Sequence, residues 1–236
     1  MNIFDYFARA FIFNIYYFLI TIFVLRKCSA RGLHENIPRK ILVRYVRCIW
    51  IRNIFTLLKK YLYIGYGVSG TEYYNGKGPA IIACNHQSLW DTMVFHMLAD
   101  DPAYVMKQEL MKIPFFGSSA KLVGMIPVDR SGKNIKQFLR DVKKAVARKQ
   151  TVIIFPEGTR VNPGEKKEYS CGVYAIYKAT NVPVIPTSLN SGLFWPARKW
   201  FSYKPGVISV RYHKPIPPGM EKEEFMALLR ERIEED

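Results

Sequence analysis

The chain is expected to adopt an α/β fold: a mainly parallel central sheet flanked by helices, with an N-terminal two-helix membrane-binding motif. Three observations predict this. From residue 66 onward, short β-type runs alternate with helical patterns, the signature of βαβ units. Residues 10–25, AFIFNIYYFLITIFVL, are apolar except for Asn14 and Thr21. Residues 39–64 interleave apolar positions with seven cations. The reading divides the chain into membrane-associated helices over 1–64 and an α/β domain over 65–236.

The elements follow in order. The run 10–25 is too short to cross a bilayer comfortably, since about 20 residues are needed. As a signal peptide it lacks a cationic start beyond Arg9 and a small-residue cleavage site. The high aromatic load, with Arg26, Lys27 and Arg31 just behind, favours an anchor embedded in one leaflet. Full spanning is the second reading and a buried core helix the bland one. The second helix, 39–64, carries Ile41, Leu42, Tyr45, Ile49, Ile51, Leu57 and Leu58 among Arg39, Lys40, Arg44, Arg47, Arg52, Lys59 and Lys60. A basic amphipathic helix of that kind lies in the headgroup region.

Strands are then expected at 68–74, 80–84, 103–106, 125–128, 151–155, 184–189 and 207–212. Helices are expected at 91–98, 134–149, 173–180 and 222–234. In 134–149 the residues Ile135, Phe138, Leu139, Val142 and Val146 recur at helical spacing. There is no internal repeat and no low-complexity linker.

Composition narrows the function. A chain of 236 residues, 49% hydrophobic and 23% charged, is globular in character and long enough for a full core. The net charge of +16 calls for an anionic partner. Residues 1–70 hold eleven Lys and Arg against Asp5 and Glu35, a balance of +9, whereas 221–236 holds seven acids against three cations. Cations mixed with aromatics suit nucleic acid in other settings. Here they flank the apolar run, which points to an anionic membrane surface and not to nucleic acid. Cys28, Cys48, Cys84 and Cys171 form no CxxC pair, so a zinc site is not expected and the thiols read as reduced.

The stretch Asn85-His86-Gln87-Ser88-Leu89-Trp90-Asp91 follows the apolar run 80–84. A histidine takes a proton near neutral pH, and a carboxylate on its other ring nitrogen fixes the tautomer and stabilises the imidazolium. His86 and Asp91 can form that pair. In a continuous helix five residues rotate by about 500°, so the contact needs a loop or helix start that bends back. Asn85 and Ser88 suit such a start. No GxSxG nucleophile motif is present. Arg130 and Arg160 each follow an apolar run, where strand ends present side chains to a cleft, and arginine grips phosphate through a bidentate fork. Gly158 permits close backbone approach, and Thr159 can hydrogen-bond locally or to phosphate. Glu157 reads as ordering the arginines or a substrate hydroxyl, because a carboxylate repels phosphate. His34, His96 and His213 lack such company and read as structural.

Four blocks in order, Asn85–Asp91, Gly124–Arg130, Phe155-Pro156-Glu157-Gly158-Thr159-Arg160 and Val182-Pro183-Val184-Ile185-Pro186, resemble the glycerolipid acyltransferase family over roughly residues 70–215. The resemblance implies that His86, oriented by Asp91, activates an acceptor hydroxyl to attack an acyl thioester directly, with no acyl-enzyme. It implies lysophosphatidic acid (1-acyl-glycerol-3-phosphate) as acceptor, acylated at its 2-hydroxyl to phosphatidic acid. The expected donor is an acyl thioester of acyl carrier protein or coenzyme A, with no other cofactor; nothing in the sequence calls for a metal, and the N-terminal segment is expected to dock on the cytoplasmic face of the inner (plasma) membrane. Arg130, Glu157, Gly158, Thr159 and Arg160 then bind substrate, and Lys107 matches a further basic position of the family. The fourth block is expected to shape the sheet and line an acyl groove. One departure stands out: family members carry a lysine two residues before the glycine that follows FPEGTR, and here Ser170 precedes Cys171-Gly172. Lys166, Lys167 and Lys178 are candidates to compensate. Backbone amides near Gly158 are the expected oxyanion donors. The segment 190–196 is left open between a membrane-facing loop and ordinary packing. The competing readings are another lysolipid acceptor, a non-catalytic basic membrane-binding protein and a thioesterase.

Overall fold

A computed structural model describes residues 3–34, 37–129, 131, 134–197 and 202–235, with the side chains of residues 3 and 31–34 left out of account. The chain begins with a long helix, α1 (Ile3–His34), then α2 (Arg39–Tyr45), a π-helical turn (Val46–Ile51) and α3 (Arg52–Tyr61). The α/β part follows as β1 (Ile64–Ser69), β2 (Ala80–Cys84), α4 (Asp91–Leu98), β3 (Pro102–Lys107), α5 (Phe116–Leu122), β4 (Ile126–Val128), α6 (Ile135–Ala147), β5 (Thr151–Ile154), α7 (Gly172–Thr180), β6 (Val184–Leu189), β7 (Gly206–Tyr212) and α8 (Lys222–Glu234). The seven strands form one sheet in the order β1-β7-β6-β2-β5-β3-β4. Every neighbouring pair is parallel except β6 with β7.

The central strands are apolar on both sides because both sheet faces are covered. In β2 the alternation is plain. Ala80, Ile82 and Cys84 join the core that contains α3 and α4, whereas Ile81 and Ala83 join the core of α6, α7 and α8. The first of these cores also takes in Ala10, Phe13, Val24 and Cys28 of α1. β6, which carries the Val-Pro-Val-Ile-Pro block, is buried along its whole length between β2 and β7. Its Pro186 carbonyl accepts the His213 amide (2.9 Å), and pairing with β7 starts at Thr187.

Helix α1 runs well beyond the apolar run seen in the sequence. Phe4, Phe7, Phe11, Ile12, Ile15, Phe18, Leu19, Ile22 and Phe23 stand exposed as a stripe, Phe4 to 78%. The stretch Phe4–Ala30 is long and apolar enough to cross a membrane, and only 22% of its most apolar window is buried in the protein. Its two polar interruptions face inward. Asn14 accepts a hydrogen bond from the Tyr203 hydroxyl (2.9 Å), and Thr21 accepts one from the Trp50 indole (2.9 Å). The second helix is broken into three parts by the π-helical turn, where the Arg47 guanidinium donates to the Ala99 and Asp100 carbonyls. Arg39 forms a two-pronged ion pair with Asp101. Two of the seven cations read as headgroup contacts thus serve the fold, while Lys40, Arg44, Arg52, Lys59 and Lys60 are exposed.

Two further elements depart from expectation. The first strand lies at Ile64–Ser69, not 68–74. Gly65 and Gly67 conceal it, since glycine weakens the β signal, and Gly70 (φ +71°) ends it in a turn closed by Tyr73 N–H to Gly70 O. Helix α5 was not expected, because Gly117-Ser118-Ser119 is poor in helix formers. It exists by packing on α1: Ser118 meets Ser29 (2.7 Å), and Ser119 donates to the Leu25 carbonyl (2.9 Å).

Asn14→Ala removes the acceptor of the buried Tyr203 hydroxyl and should cost about 1–3 kcal/mol. Leu19→Ser on the outer stripe, at a side chain 63% exposed, should cost much less in detergent. Chemical denaturation of both variants in detergent checks this pair, and equal losses would contradict the orientation of α1.

Candidate active site

The site stands where β2 and β5 end. The register sets Ala83 opposite Ile154, so three residues further along His86 comes beside Glu157. The His86 amide donates to Glu157 Oε2 (2.7 Å), and the His86 carbonyl accepts the Val161 amide (2.7 Å). Asn85 grips the end of β6 from the other side. Its Oδ1 accepts the Leu189 amide (2.9 Å) and its Nδ2 donates to the Leu189 carbonyl (2.8 Å). The backbone at His86 is therefore tied to the strands on both flanks.

From there the chain bends into α4, whose first residue is Asp91. Ser88 Oγ accepts the Trp90 amide at that bend (3.2 Å). Ser88 thus acts at the helix start as expected, whereas Asn85 works as the clasp on β6. The Asp91 carboxylate folds back over the loop. Its Oδ2 accepts hydrogen bonds from the Gln87 amide (2.7 Å), the Ser88 amide (2.8 Å) and His86 Nδ1 (2.9 Å). Its Oδ1 accepts the Ser191 hydroxyl (2.5 Å). The Asp91 side chain is fully buried and that of His86 is 13% exposed. The imidazole lies flat on the Phe155 ring, 4.1 Å between centroids. With Nδ1 donating to a carboxylate, Nε2 is the nitrogen that can accept a proton.

Glu157 is raised from its ordinary value of 4.5 to about 7. Burial is the main cause and the Asp91 charge adds to it, while the His86 amide and Lys167 pull the other way. Its observed partner is thus the backbone of His86. Gly158 takes φ +67°, and its amide donates to the Phe155 carbonyl (2.9 Å), so of the backbone amides near Gly158 this one is engaged within its own turn. Thr159 and Arg160 are exposed, and Arg160 lies within electrostatic reach of Tyr17 on α1. Lys107 is exposed at the end of β3, the strand beyond β5. Arg130 lies outside the described residues. Among the three lysines near the Ser170 departure, Lys166 pairs with Glu234 (2.7 Å), Lys178 sits in the last turn of α7, and Lys167 acts on Glu157. Ser170 itself closes a local turn by accepting the Gly172 amide (3.2 Å). His96 is buried, and burial with nearby Arg47 pushes it down to about 4. His213 faces Ser188 (2.9 Å). The side chain of His34 lies outside the described residues.

The acyltransferase family model matches residues 66–190, more than half of the chain, and that segment contains His86, Asp91, Glu157 and Arg160. A 1-acyl-sn-glycerol-3-phosphate acyltransferase of Pseudomonas aeruginosa is 33% identical over 189 residues, which cover 79% of this chain and 71% of that protein. This chain belongs to the acyltransferase family. A sheep relative, 1-acyl-sn-glycerol-3-phosphate acyltransferase alpha, is 25% identical over 97% of the chain and 77% of its own length. The enzyme of that type from Cocos nucifera is 31% identical, and the match spans about half of its length (49%). The fold matches the crystal structure of the 1-acyl-sn-glycerophosphate (LPA) acyltransferase of Thermotoga maritima with a TM-score of 0.73, at 23% identity and over 97% and 95% of the two chains.

In this acyltransferase three side chains read from the sequence, those of His86, Asp91 and Glu157, come together at one point. Ser191 joins them without having been anticipated. The only signal was a polar Asn-Ser-Gly step directly after the β6 run, which pattern reading treats as a loop. Among the described residues no cluster of three or more His, Cys, Asp or Glu is placed to hold a metal ion.

The raised Glu157 has a stability signature. A carboxyl whose folded pKa lies above its unfolded value holds its proton longer in the folded state. Its contribution is full below about 4.5 and lost as pH rises through about 7. Glu157→Gln keeps an acceptor for the His86 amide and removes the titration. Relative to this variant, the wild type should lose stability between pH 5 and pH 8 in urea titrations. Parallel pH curves for the two proteins would show that Glu157 is not the group involved.

Proposed function

We propose that the chain is a membrane-associated 1-acyl-sn-glycerol-3-phosphate acyltransferase in which His86 is the general base. The observation that carries this reading is the His86 Nδ1–Asp91 pair at the end of β2, within the segment matched by the family. His86 Nε2 takes the proton of the acceptor's 2-hydroxyl as its oxygen attacks the thioester carbonyl. The tetrahedral species collapses with cleavage of the C–S bond. The departing thiolate takes the proton from the imidazolium, leaving phosphatidic acid and a free thiol. Asp91 holds the imidazole in the required tautomer and balances its charge during the step. No acyl-enzyme is needed, because the acceptor oxygen is itself the nucleophile. The acyl donor is a thioester of acyl carrier protein or coenzyme A, and no metal takes part in the sequence of steps.

Arg160, with Thr159, is assigned to the acceptor phosphate, Arg130 and Lys107 to the same anionic group, and Gly158 to the tight turn that presents them. Exposure of Arg160, and its proximity to α1, supports this: the headgroup of a lipid lying in the bilayer reaches the protein from that side.

The membrane reading rests on α1. The buried face of this helix packs on the domain from Ala10 to Ser29, which supports a helix lying along the domain over one that crosses the bilayer. We take it to lie in the outer part of one leaflet, the cytoplasmic one, with residues 1–64 as the docking unit. Each exposed Phe, Ile or Leu adds about 1.5–3 kcal/mol on full burial, against about 1 kcal/mol at most for each cation near an anionic surface. Insertion of the stripe therefore outweighs headgroup attraction.

His86→Ala should reduce turnover by about 10²–10⁴-fold with the fold intact, and Asp91→Asn should be comparably severe through the wrong tautomer. Phosphatidic acid formation by purified variants, alongside melting curves, measures this; a folded His86→Ala enzyme working at the wild-type rate would end the proposal. Arg160→Lys should raise KM for lysophosphatidic acid, because lysine has no bidentate fork. Monoacylglycerol, which lacks the phosphate, should be affected much less. An equal effect on both acceptors would remove Arg160 from phosphate binding.

A further inference from the structure

The carboxylate of Asp91 has two oxygens, and the His86 loop uses only one. Oδ2 receives His86 Nδ1 and the Gln87 and Ser88 amides, all from the same short loop. Oδ1 receives the Ser191 hydroxyl, a hundred residues away in sequence and itself fully buried. A buried carboxylate oxygen without a donor is costly, and rotation about the Asp91 Cβ–Cγ bond would carry Oδ1 off Ser191 as well as Oδ2 off its three donors. Ser191 therefore adds the second anchor that fixes the plane of the carboxylate.

What holds Ser191 is equally specific. It begins a short turn, Ser191–Leu193, placed directly after β6. The Ser191 carbonyl accepts the amides of Phe194 (3.1 Å) and Trp195 (2.8 Å). The Trp195 ring packs edge-on against Phe13 (5.8 Å) and Tyr17 (6.0 Å) of α1. On the other side Gly192 is pressed against the His86 loop: its amide donates to Gln87 Oε1 (3.2 Å), and a Cβ there would come within 2.9 Å of Gln87 Cβ and of Pro163. The turn is thus clamped between the membrane helix and the loop that bears His86.

We propose that Ser191 is a positioning residue for the Asp91–His86 pair, and that α1 holds it in place through Trp195. The chain of contacts is Phe13 and Tyr17 to Trp195, Trp195 to the Ser191 turn, Ser191 to Asp91, and Asp91 to His86. Seating of α1 thereby bears on the proton-transferring imidazole and not only on membrane attachment. The inference rests on the reading of His86 and Asp91 as the acid–base pair.

The test uses the full-length enzyme with lysophosphatidic acid and an acyl-coenzyme A thioester in mixed micelles. Ser191→Ala should lower kcat about 10–100-fold, the scale of one hydrogen bond to a charged group, with KM for both substrates unchanged. Ser191→Thr, which keeps the hydroxyl, should recover most of the rate. In an Asp91→Asn background, Ser191→Ala should add little, because the group it positions is already disabled. The downfield proton signal of His86 Nδ1–H should shift or broaden in Ser191→Ala and return in Ser191→Thr, a readout independent of turnover. Trp195→Ala should move the same signal in the same direction. Unchanged kcat and an unchanged His86 signal in Ser191→Ala would overturn the inference. So would a full additional loss in the Asp91→Asn background. If His86→Ala itself retains the wild-type rate, the acid–base reading fails first; if it is inactive while Ser191→Ala is fully active, only the positioning role fails.

Discussion

Everything at the site depends on one buried carboxylate. Asp91 has no exposed surface, yet it gathers a ring nitrogen, two backbone amides and a hydroxyl. Burying an ion without partners costs several kcal/mol, and four donors offset that cost while fixing the geometry. The two amides matter as much as the histidine. They force residues 86–91 into the bend that brings His86 Nδ1 to Asp91, which a continuous helix would forbid. The constraint that shapes the loop is thus the same one that selects the imidazole tautomer.

The sheet extends that constraint outward. Parallel pairing of β2 with β5 and with β6 brings the loop after β5 to the His86 backbone through Glu157 and Val161, and the end of β6 to the neighbouring Asn85 side chain through Leu189. Glu157 faces the main chain of His86, and this position explains why a carboxylate is tolerated beside a site assigned to a phosphorylated acceptor. Burial has already raised it to about 7, so near neutrality it is only partly charged. A second anion arriving nearby would favour its proton further, since like charges disfavour ionisation. Repulsion between the carboxyl and a phosphate is thereby self-limiting.

Much of this was legible in the residues, for identifiable reasons. The strands at 80–84 and 184–189 and the helices at 91–98 and 222–234 announce themselves because both sheet faces are covered and the helices carry regular apolar faces. His86 and Asp91 were legible because a histidine and a carboxylate fall in one short window after an apolar run, and Glu157 because it stands in the FPEGTR block that carries the family resemblance. What stayed hidden was held by tertiary contact alone. β1 is masked by its glycines, and α5 by a weak local preference that α1 overrides. Ser191 could not be read because nothing in Asn190-Ser191-Gly192 records that a carboxylate lies a hundred residues back. The inward cations Arg39 and Arg47 were misassigned for a related reason: a basic amphipathic pattern does not tell which cations meet carbonyls and carboxylates of the protein itself.

Helix α1 joins the two halves of the problem. Its outer stripe is too apolar to be left in water, and its inner face turns Asn14 and Thr21 toward polar partners on the domain. Tyr203 and Trp50 satisfy those two residues only while the helix lies along the domain. The same inner face carries Phe13 and Tyr17, which meet Trp195 beside the turn that supports Asp91. These two faces fit the proposed placement of the helix, between the bilayer and the domain and parallel to their boundary. On the proposed membrane reading, the helix that meets the bilayer is also the one whose Phe13 and Tyr17 brace Trp195 beside the Ser191 turn.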